Sequence, residues 1–342
     1  MTWRELWRDH TPAKRCAWID QLRGLAVIVM IEVHVVNVWL QEALRPGWLN
    51  YLNGLVAPSF LMAAGFSLVL STFRPDGTLR PFWPDTARRL GFILICAYAL
   101  HAPGLTLADW TVLATPQKLR EIFKIDVLQC IVFSLLVLHG LARVLRDVRG
   151  LAAAALGLTV VVPLIAHYLW AEGVADGLWL PIRGLFNGWP DRGVQALFPL
   201  FPWMAFPAFG AFLGAIYRGL RILPDAEGRS RVSEGVFLLG LLGLGLILWG
   251  VGHGLKEPWL WSGTWVQEGG QWRLHGWWGG FTWRELTALH NVTLPSVLER
   301  LGWVCMAGAW LGGLERLRPR WLKLTWMEVA SRESVLLYML HL

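Results

Sequence analysis

Charge and cysteine are both scarce in this sequence. Only 16% of its 342 residues are Asp, Glu, Lys or Arg, whereas soluble domains usually carry about 25%. The four cysteines include no Cys-x-x-Cys pair, and no His/Cys run has the spacing of a zinc site. We therefore predict neither a disulfide framework nor a bound metal. The sequence has no Ser-rich or Gly-rich linker and no evident repeat, which indicates a single domain.

Apolar residues, by contrast, are abundant. They make up 55% of the chain, and 23 residues are Trp, which collects at both surfaces of a membrane. Runs of roughly 20 apolar residues are long enough to cross a bilayer as helices. We therefore predict an all-α polytopic membrane protein with about nine transmembrane helices in one bundle. The predicted spans are 21–41, 50–73, 89–108, 122–143, 151–171, 194–217, 234–255, 296–315 and 327–342.

The distribution of Lys and Arg predicts the orientation of the bundle. The N-terminal arm and the loops after spans two, four, six and eight hold 19 of these residues, and the opposite loops hold 10. Because cytoplasmic loops are the more basic, we predict a cytoplasmic arm at 1–20 and a helical domain at 21–342. The arm is polar, so we expect no cleavable signal peptide. The basic residues form no continuous face, which argues against a nucleic-acid partner.

Polar residues mark one face of the first span. Arg23, His34 and Asn37 lie close to one face, with Arg23 and His34 about 16 Å apart along the axis. Asp20 can pair with Arg23 or cap the helix. An ionisable group at membrane depth costs about 2.5–3.5 kcal/mol, so these groups are expected to face the interior of the bundle or a water-filled cavity. One interpretation is that they form a functional site. The other is that His34 hydrogen-bonds to a neighbouring helix, while Arg23 extends its charged group to the membrane surface. Geometry alone leaves both interpretations open.

Four stretches carry a resemblance to a known family. The run at 15–34, with Arg15, Ile19-Asp20, Arg23-Gly24-Leu25-Ala26 and His34, resembles the opening helix of the transmembrane acyltransferases. The resemblance is closest to the heparan-α-glucosaminide N-acetyltransferase-like proteins and more distant to the acyltransferase-3 family. The stretches 57–65, 124–129 and 331–341 are similar to later helices of the same family. Because its relatives usually continue with more helices, we expect the chain to be incomplete after Leu342.

The resemblance implies acyl transfer from cytosolic acyl-CoA, with acetyl-CoA as the donor, to a sugar or glycolipid acceptor at the outer face. Arg23, with Asp20 beside it, would bind the donor. His34 would act as a base or carry the acyl group. The family motifs add Asp126 and His341 to catalysis and Tyr338 to acceptor binding, and Asn37, on the polar face of the first span, is also assigned to acceptor binding. We expect the protein to lie in a bacterial cytoplasmic (inner) membrane, in contact with membrane lipids, and to use no metal. Whether it forms a homo-oligomer is left open.

Several alternatives remain open from the sequence. A transporter or flippase could use the same buried polar groups, and a non-catalytic scaffold is a third interpretation. The Trp-rich stretch 257–290 is either a sugar-stacking surface or an interfacial aromatic belt, with the belt favoured. The prolines and glycines of 199–214 either break a helix that lines a cavity or permit close packing. Three other histidines fall near the outer ends of spans: His101, His167 and His253. An ordinary interfacial position is the favoured interpretation for His167 and His253.

Overall fold

The structure is a computed structural model, which describes most of the chain. The described residues are 5, 10–11, 13, 16–40, 46–104, 106–112, 115–170, 177–186, 196–255, 264–268, 271–275, 293–317 and 325–340.

The described part is almost wholly helical. In chain order the helices are α1 Ala17–Trp39, α2 Gly47–Asn53, α3 Val56–Thr72, α4 Asp85–Ala99, α5 Leu107–Val112, α6 Pro116–Glu121, α7 Val127–Leu145, α8 Val148–Trp170, α9 Leu180–Phe186, α10 Leu200–Trp203, α11 Ala205–Tyr217, α12 Glu234–Gly254, α13 Leu294–Leu317, α14 Thr325–Arg332 and α15 Ser334–Leu340. A π-helical turn, Arg218–Ile222, follows α11. One antiparallel hairpin, β1 Thr264–Glu268 with β2 Gln271–His275, departs from the all-α expectation.

Five helical stretches among the described residues are long and apolar enough to cross a membrane. A hydrocarbon layer offers the backbone no water, so a crossing segment must satisfy its own N–H and C=O groups, as a helix does. The chain is therefore a membrane protein built of helices. The five stretches are Tyr51–Thr72, Val127–Leu145, Val148–Ala166, Leu200–Ile222 and Glu234–Gly254.

Several predicted spans are interrupted. The third, expected over 89–108, ends as a helix at Ala99, shortly before Pro103, which has no N–H to continue the ladder. The sixth is divided between α10 and α11, where Phe201 has non-helical backbone angles and is followed by Pro202. The ninth is divided between α14 and α15 at Glu333. Hydropathy alone places such segments in the membrane but does not show where their helices break.

Two glycines allow α3 and α11 to cross in backbone contact. A Cβ atom added at Gly65 would overlap the carbonyl group of Pro207, and one added at Gly210 would overlap that of Met62. Among the open interpretations of 199–214, these contacts favour close packing. Gly214 adds to the same contact, because a Cβ there would lie 2.7 Å from the carbonyl oxygen of Phe66.

Helix α1 packs against α3, α13, α14 and α15. Trp18, 2% exposed, meets the ring of Phe66 edge-on at 5.3 Å. At Gly24 the backbone of α14 comes so close that a Cβ would overlap the carbonyl group of Met327. These contacts fix the rotation of α1 and therefore decide where the neighbouring Arg23 points.

A buried ion pair holds the segment that precedes α1. Arg221 is fully buried, and its Nη2 lies 2.6 Å from Oε2 of Glu234. Its Nη1 donates to the hydroxyl of Ser230 and to the carbonyl of Val232, both at 2.7 Å. The backbone carbonyl of Arg221 accepts a hydrogen bond from the N–H of Ala13 at 2.7 Å. The turn after α11 thus anchors the N-terminal arm next to the first helix.

The buried pair can be tested against an exposed one. We expect Arg221→Ala to cost about 3–5 kcal/mol of stability, because it leaves the Glu234 carboxylate buried without its main cation. Arg229→Ala breaks an ion pair with Glu227 in the same loop, but both side chains are more than half exposed. Its effect should stay below about 1 kcal/mol. Thermal unfolding of both variants in detergent measures the difference, and equal melting temperatures would contradict this account of the arm.

Candidate active site

A cleft of about 340 Å³ lies between α1, α3, α4, α7 and α15. Its apolar walls come from residues such as Phe60, Leu90 and Ile131. Polar side chains are set into these walls at several heights, so the cleft is neither a sealed helix contact nor a purely lipid-like groove. The polar lining residues are Arg23, Ser67, Ser71, Asp85, Thr86, Arg89, His139, Ser334 and Tyr338.

The cleft is long. Val127, the first residue of α7, and His139 both line it, and twelve residues of helix span about 18 Å. One end, which we call the charged end, holds Asp85, Arg89 and His139. The other, which we call the Asp126 end, holds Val127 and Tyr338, next to Asp126. A single elongated ligand could therefore contact both ends.

Arg23 lies in the wall of this cleft. Its Nη2 donates a hydrogen bond to the hydroxyl of Ser67 on α3 at 2.9 Å, and both side chains line the cavity. This contact joins α1 to α3 at the wall of the cleft. Asp20 lies on the first turn of α1, is partly buried and is not among the residues that line the cleft.

His34 occupies a different environment from Arg23. It lies eleven residues further along α1, is exposed, and is not among the lining residues of the cleft. Met30, one turn before it, belongs to the same apolar cluster as Val127 and Tyr338. Helix α1 therefore runs from the level of Arg23 toward the Asp126 end, and His34 lies beyond the cleft on that side.

Two other site predictions cannot be placed. Asn37 belongs to the last turn of α1, and its side chain lies outside the described residues. His341 also lies outside them, one residue after α15 ends at Leu340. Their assigned roles remain predictions.

Asp126 begins α7 as its N-cap. Its Oδ1 accepts a hydrogen bond from the N–H of Val127 at 2.7 Å, and the side chain of Gln129 accepts from the N–H of Asp126 at 3.1 Å. This reciprocal arrangement is a capping box, in which the first and fourth residues satisfy backbone groups at the start of a helix. Gln129, fully buried, also donates to the carbonyl of Ala97 at 3.1 Å. The local motif at 124–129 thus joins the start of α7 to the end of α4.

The structure brings Asp126 together with Tyr338 and with a residue to which the sequence assigned no role. The Tyr338 hydroxyl hydrogen-bonds the Asp126 carboxylate. On its other side, Oδ2 of Asp126 lies 3.8 Å from Nε2 of His101, and both side chains are about 15% exposed. His101 was expected only near the outer end of a span. Its approach to Asp126 depends on the turn after α4, which hydropathy does not reveal.

The charged end also holds residues that sequence reasoning left without a role. His139, 7% exposed, has its Nδ1 3.4 Å from the hydroxyl of Thr72, and the ring of Phe82 meets it edge-on at 5.3 Å. Arg89 was counted only as a loop charge. Two features of the sequence could have identified these residues. His139 lies within an apolar run, and Arg89 lies four residues before Ile93, which places both on one face of the helix.

The remaining open features lie away from the cleft. Among the described residues, those that line the cleft include none from 199–214. Most of the Trp-rich stretch 257–290 lies outside the described residues, and the hairpin within it is described for its backbone only. The structure therefore does not decide between a sugar-stacking surface and an aromatic belt.

Comparison with known proteins gives one match. Residues 15–241 match the family described as heparan-alpha-glucosaminide N-acetyltransferase, catalytic. A search of curated proteins and a search of solved structures gave no match. The matched range contains Arg23, His34 and Asp126 and ends before Tyr338. Because it covers more than half of the 342 residues, the chain belongs to the heparan-alpha-glucosaminide N-acetyltransferase catalytic family.

Proposed function

We propose that this protein is an acyltransferase that moves an acetyl group from cytosolic acetyl-CoA to a sugar or glycolipid acceptor at the outer face of the membrane. The observation that carries the proposal is the cleft. It joins two guanidinium groups, those of Arg23 and Arg89, to the phenol of Tyr338, which contacts the Asp126 carboxylate behind it. Membership of an N-acetyltransferase family supplies the reaction class.

The chemistry of the charged end suits a phosphate-bearing donor. Arg binds phosphate through several charge-assisted hydrogen bonds. Arg89 lies at the charged end, and Arg23 lies in the wall of the same cleft. The hydroxyls of Ser67 and Ser71 add neutral hydrogen-bonding groups beside them. Asp85 precedes Arg89 by four residues on α4, a spacing at which the two can pair and orient the guanidinium. The thioester arm of the donor would then extend along the apolar walls.

The opposite end is where we place the transfer. In this proposal His34 removes a proton from the acceptor or carries the acetyl group between donor and acceptor. Asp126 and His341 assist that step, Asn37 and Tyr338 bind the acceptor, and Asp20 supports Arg23. Support comes from α1, which leads from Arg23 toward the end where Asp126 and Tyr338 meet. Closure around the acceptor would have to bring His34 to the mouth of the cleft.

The orientation follows from the loop charges. The charged end adjoins the loops at 73–84 and 146–147, which belong to the more basic set. With a cytoplasmic N-terminus and about nine crossings, these loops face the cytosol, where acyl-CoA is found. The donor would enter from inside, and the acceptor would be modified outside. A bacterial cytoplasmic membrane with surrounding lipids is the setting we propose, and the proposal holds for a single copy or a homo-oligomer.

The assignment of Arg23 predicts a loss of donor affinity. Arg23→Ala should weaken equilibrium binding of acetyl-CoA to the purified protein about 10- to 100-fold, because a hydrogen bond to a charged group contributes about 1.5–3 kcal/mol. Arg88→Ala is the matched control, since Arg88 is exposed and does not line the cleft. Its affinity should stay within about twofold of wild type. An unchanged affinity for Arg23→Ala would remove this residue from the donor site.

The assignment of His34 predicts a loss of turnover without a loss of binding. His34→Ala should lower the release of CoA thiol from acetyl-CoA about 100-fold or more, the usual contribution of a general base, while its acetyl-CoA affinity stays that of wild type. Val38→Ala, one turn further on the same helix and 80% exposed, should leave turnover unchanged. Wild-type turnover in His34→Ala would show that His34 is neither the base nor the acyl carrier.

A further inference from the structure

We propose that Tyr338, Asp126 and His101 form a proton relay at the Asp126 end of the cleft. This inference rests on the proposed acyltransferase function and adds His101, to which the sequence motifs assign no role. In the relay Tyr338 contacts the acceptor, whereas Asp126 and His101 are positioning residues that act through it.

The three groups are arranged in order from the cleft outward. Tyr338, 8% exposed, lines the cleft and hydrogen-bonds Asp126 behind it. Oδ2 of Asp126 then lies 3.8 Å from Nε2 of His101. Neither Asp126 nor His101 is among the lining residues. A proton that leaves the cleft through Tyr338 would pass to Asp126 and then to the imidazole, once Oδ2 and Nε2 approach from 3.8 Å to hydrogen-bond distance.

The two carboxylate oxygens of Asp126 make different contacts. Oδ1 caps α7 by accepting the N–H of Val127, while Oδ2 faces His101. The side chain of Gln129 fixes this geometry, because it binds both the backbone of Asp126 and the carbonyl of Ala97 near the end of α4. The carboxylate is thus held in place before any substrate binds.

Capping alone does not account for this cluster. An N-cap needs one acceptor oxygen, which Asn or Ser provides as well as Asp. The cap uses neither the phenol of Tyr338 nor the imidazole of His101, yet both surround the same carboxylate. Nε2 of His101 is enclosed and makes no hydrogen bond to any described residue. It is one of several buried side-chain atoms without a hydrogen bond among the described residues, and among these it is the one that faces the Asp126 carboxylate.

The proton balance of the relay is as follows. His34 acts here as the acyl carrier. Its imidazole nitrogen bonds to the acetyl carbon as the carbon–sulfur bond of the thioester breaks, and the thiolate leaves through the charged end and takes a proton from water as CoA. The acceptor oxygen or nitrogen then bonds to the acetyl carbon as the carbon–nitrogen bond to His34 breaks. The proton of the acceptor passes to the oxygen of Tyr338 while the phenolic proton moves to Asp126 and on to Nε2 of His101. His101 then releases its proton at the Asp126 end, which restores all three groups.

The charges around His101 matter for a pH measurement. Besides Asp126, the side chains of Lys118, Glu121 and Lys124 lie within electrostatic range of the imidazole, and Lys118 pairs with Glu121 at 3.0 Å. Ordinary carboxylates and amines titrate well outside the neutral range. A change in activity between about pH 5.5 and 8 that depends on residue 101 would therefore report on the histidine.

The test uses the full-length chain in detergent, with acetyl-CoA as donor and glucosamine as the acceptor probe. CoA thiol release is followed from pH 5.5 to 8 for wild type, Asp126→Asn, Tyr338→Phe and His101→Gln. Each variant should lower kcat about 10- to 100-fold with little change in acetyl-CoA affinity, and His101→Gln should change the pH profile near neutrality, leaving only the dependence that His34 contributes. Asp126→Asn should keep the melting temperature of wild type within about 2 °C, because Asn caps a helix as well as Asp.

His253→Gln is the matched control. His253 lies at the C-terminal end of α12, is exposed, and has its Nδ1 3.8 Å from Glu299, outside the cleft. It should keep the turnover and pH profile of wild type.

Several outcomes would overturn the relay. Wild-type kcat and pH profile in Asp126→Asn or His101→Gln would reject it and leave the acyltransferase proposal intact. A loss of activity that follows only the loss of folded protein, with an unchanged pH profile in what remains, would reduce Asp126 to a helix cap. If wild type itself releases no CoA from acetyl-CoA, the proposed function fails and the relay fails with it.

Discussion

The hydrocarbon layer offers no hydrogen bonds, and the rest of the structure depends on that constraint. Backbone N–H and C=O groups therefore hydrogen-bond to each other inside helices, and polar side chains are stable in the bundle only where they contact one another. Arg23 reaches Ser67, and His139 lies near Thr72. Asp126 is surrounded by the cap of α7, Tyr338 and His101. These groups lie along the walls of one cleft or directly behind them, so a chain with few charges concentrates several of its polar side chains in one place.

Features that depend on local pattern could be predicted from the sequence. The apolar runs predicted α7 and α12 to within a few residues, because a helix in a membrane needs only its own length and composition. The spacing along α1 predicted that Arg23 faces the interior, and the structure places it in the wall of the cleft. The motif at 124–129 is a capping box, which is also local, so its resemblance to the family has a physical basis.

Features that depend on distant elements could not be predicted. His101 approaches Asp126 only because α4 ends at Ala99 and the chain turns there. Tyr338 joins them because α15 packs against α1, and no periodicity in either segment records that contact. Arg89 counted as a topology signal until the cleft showed which way it points. His34 shows the opposite limit, because helical spacing gives its direction but not how open its surroundings are.

The central claim is that one cleft carries an acetyl group from a donor on one side of the membrane to an acceptor on the other. Proteoliposomes that enclose glucosamine, with acetyl-CoA added only outside, test it most directly. In this arrangement only those protein copies whose charged end faces outward can react. The account predicts that N-acetylglucosamine accumulates inside the vesicles as CoA thiol appears outside. Acetylation that requires both substrates on the same side would contradict it, as would glucosamine transport that proceeds equally well without acetyl-CoA.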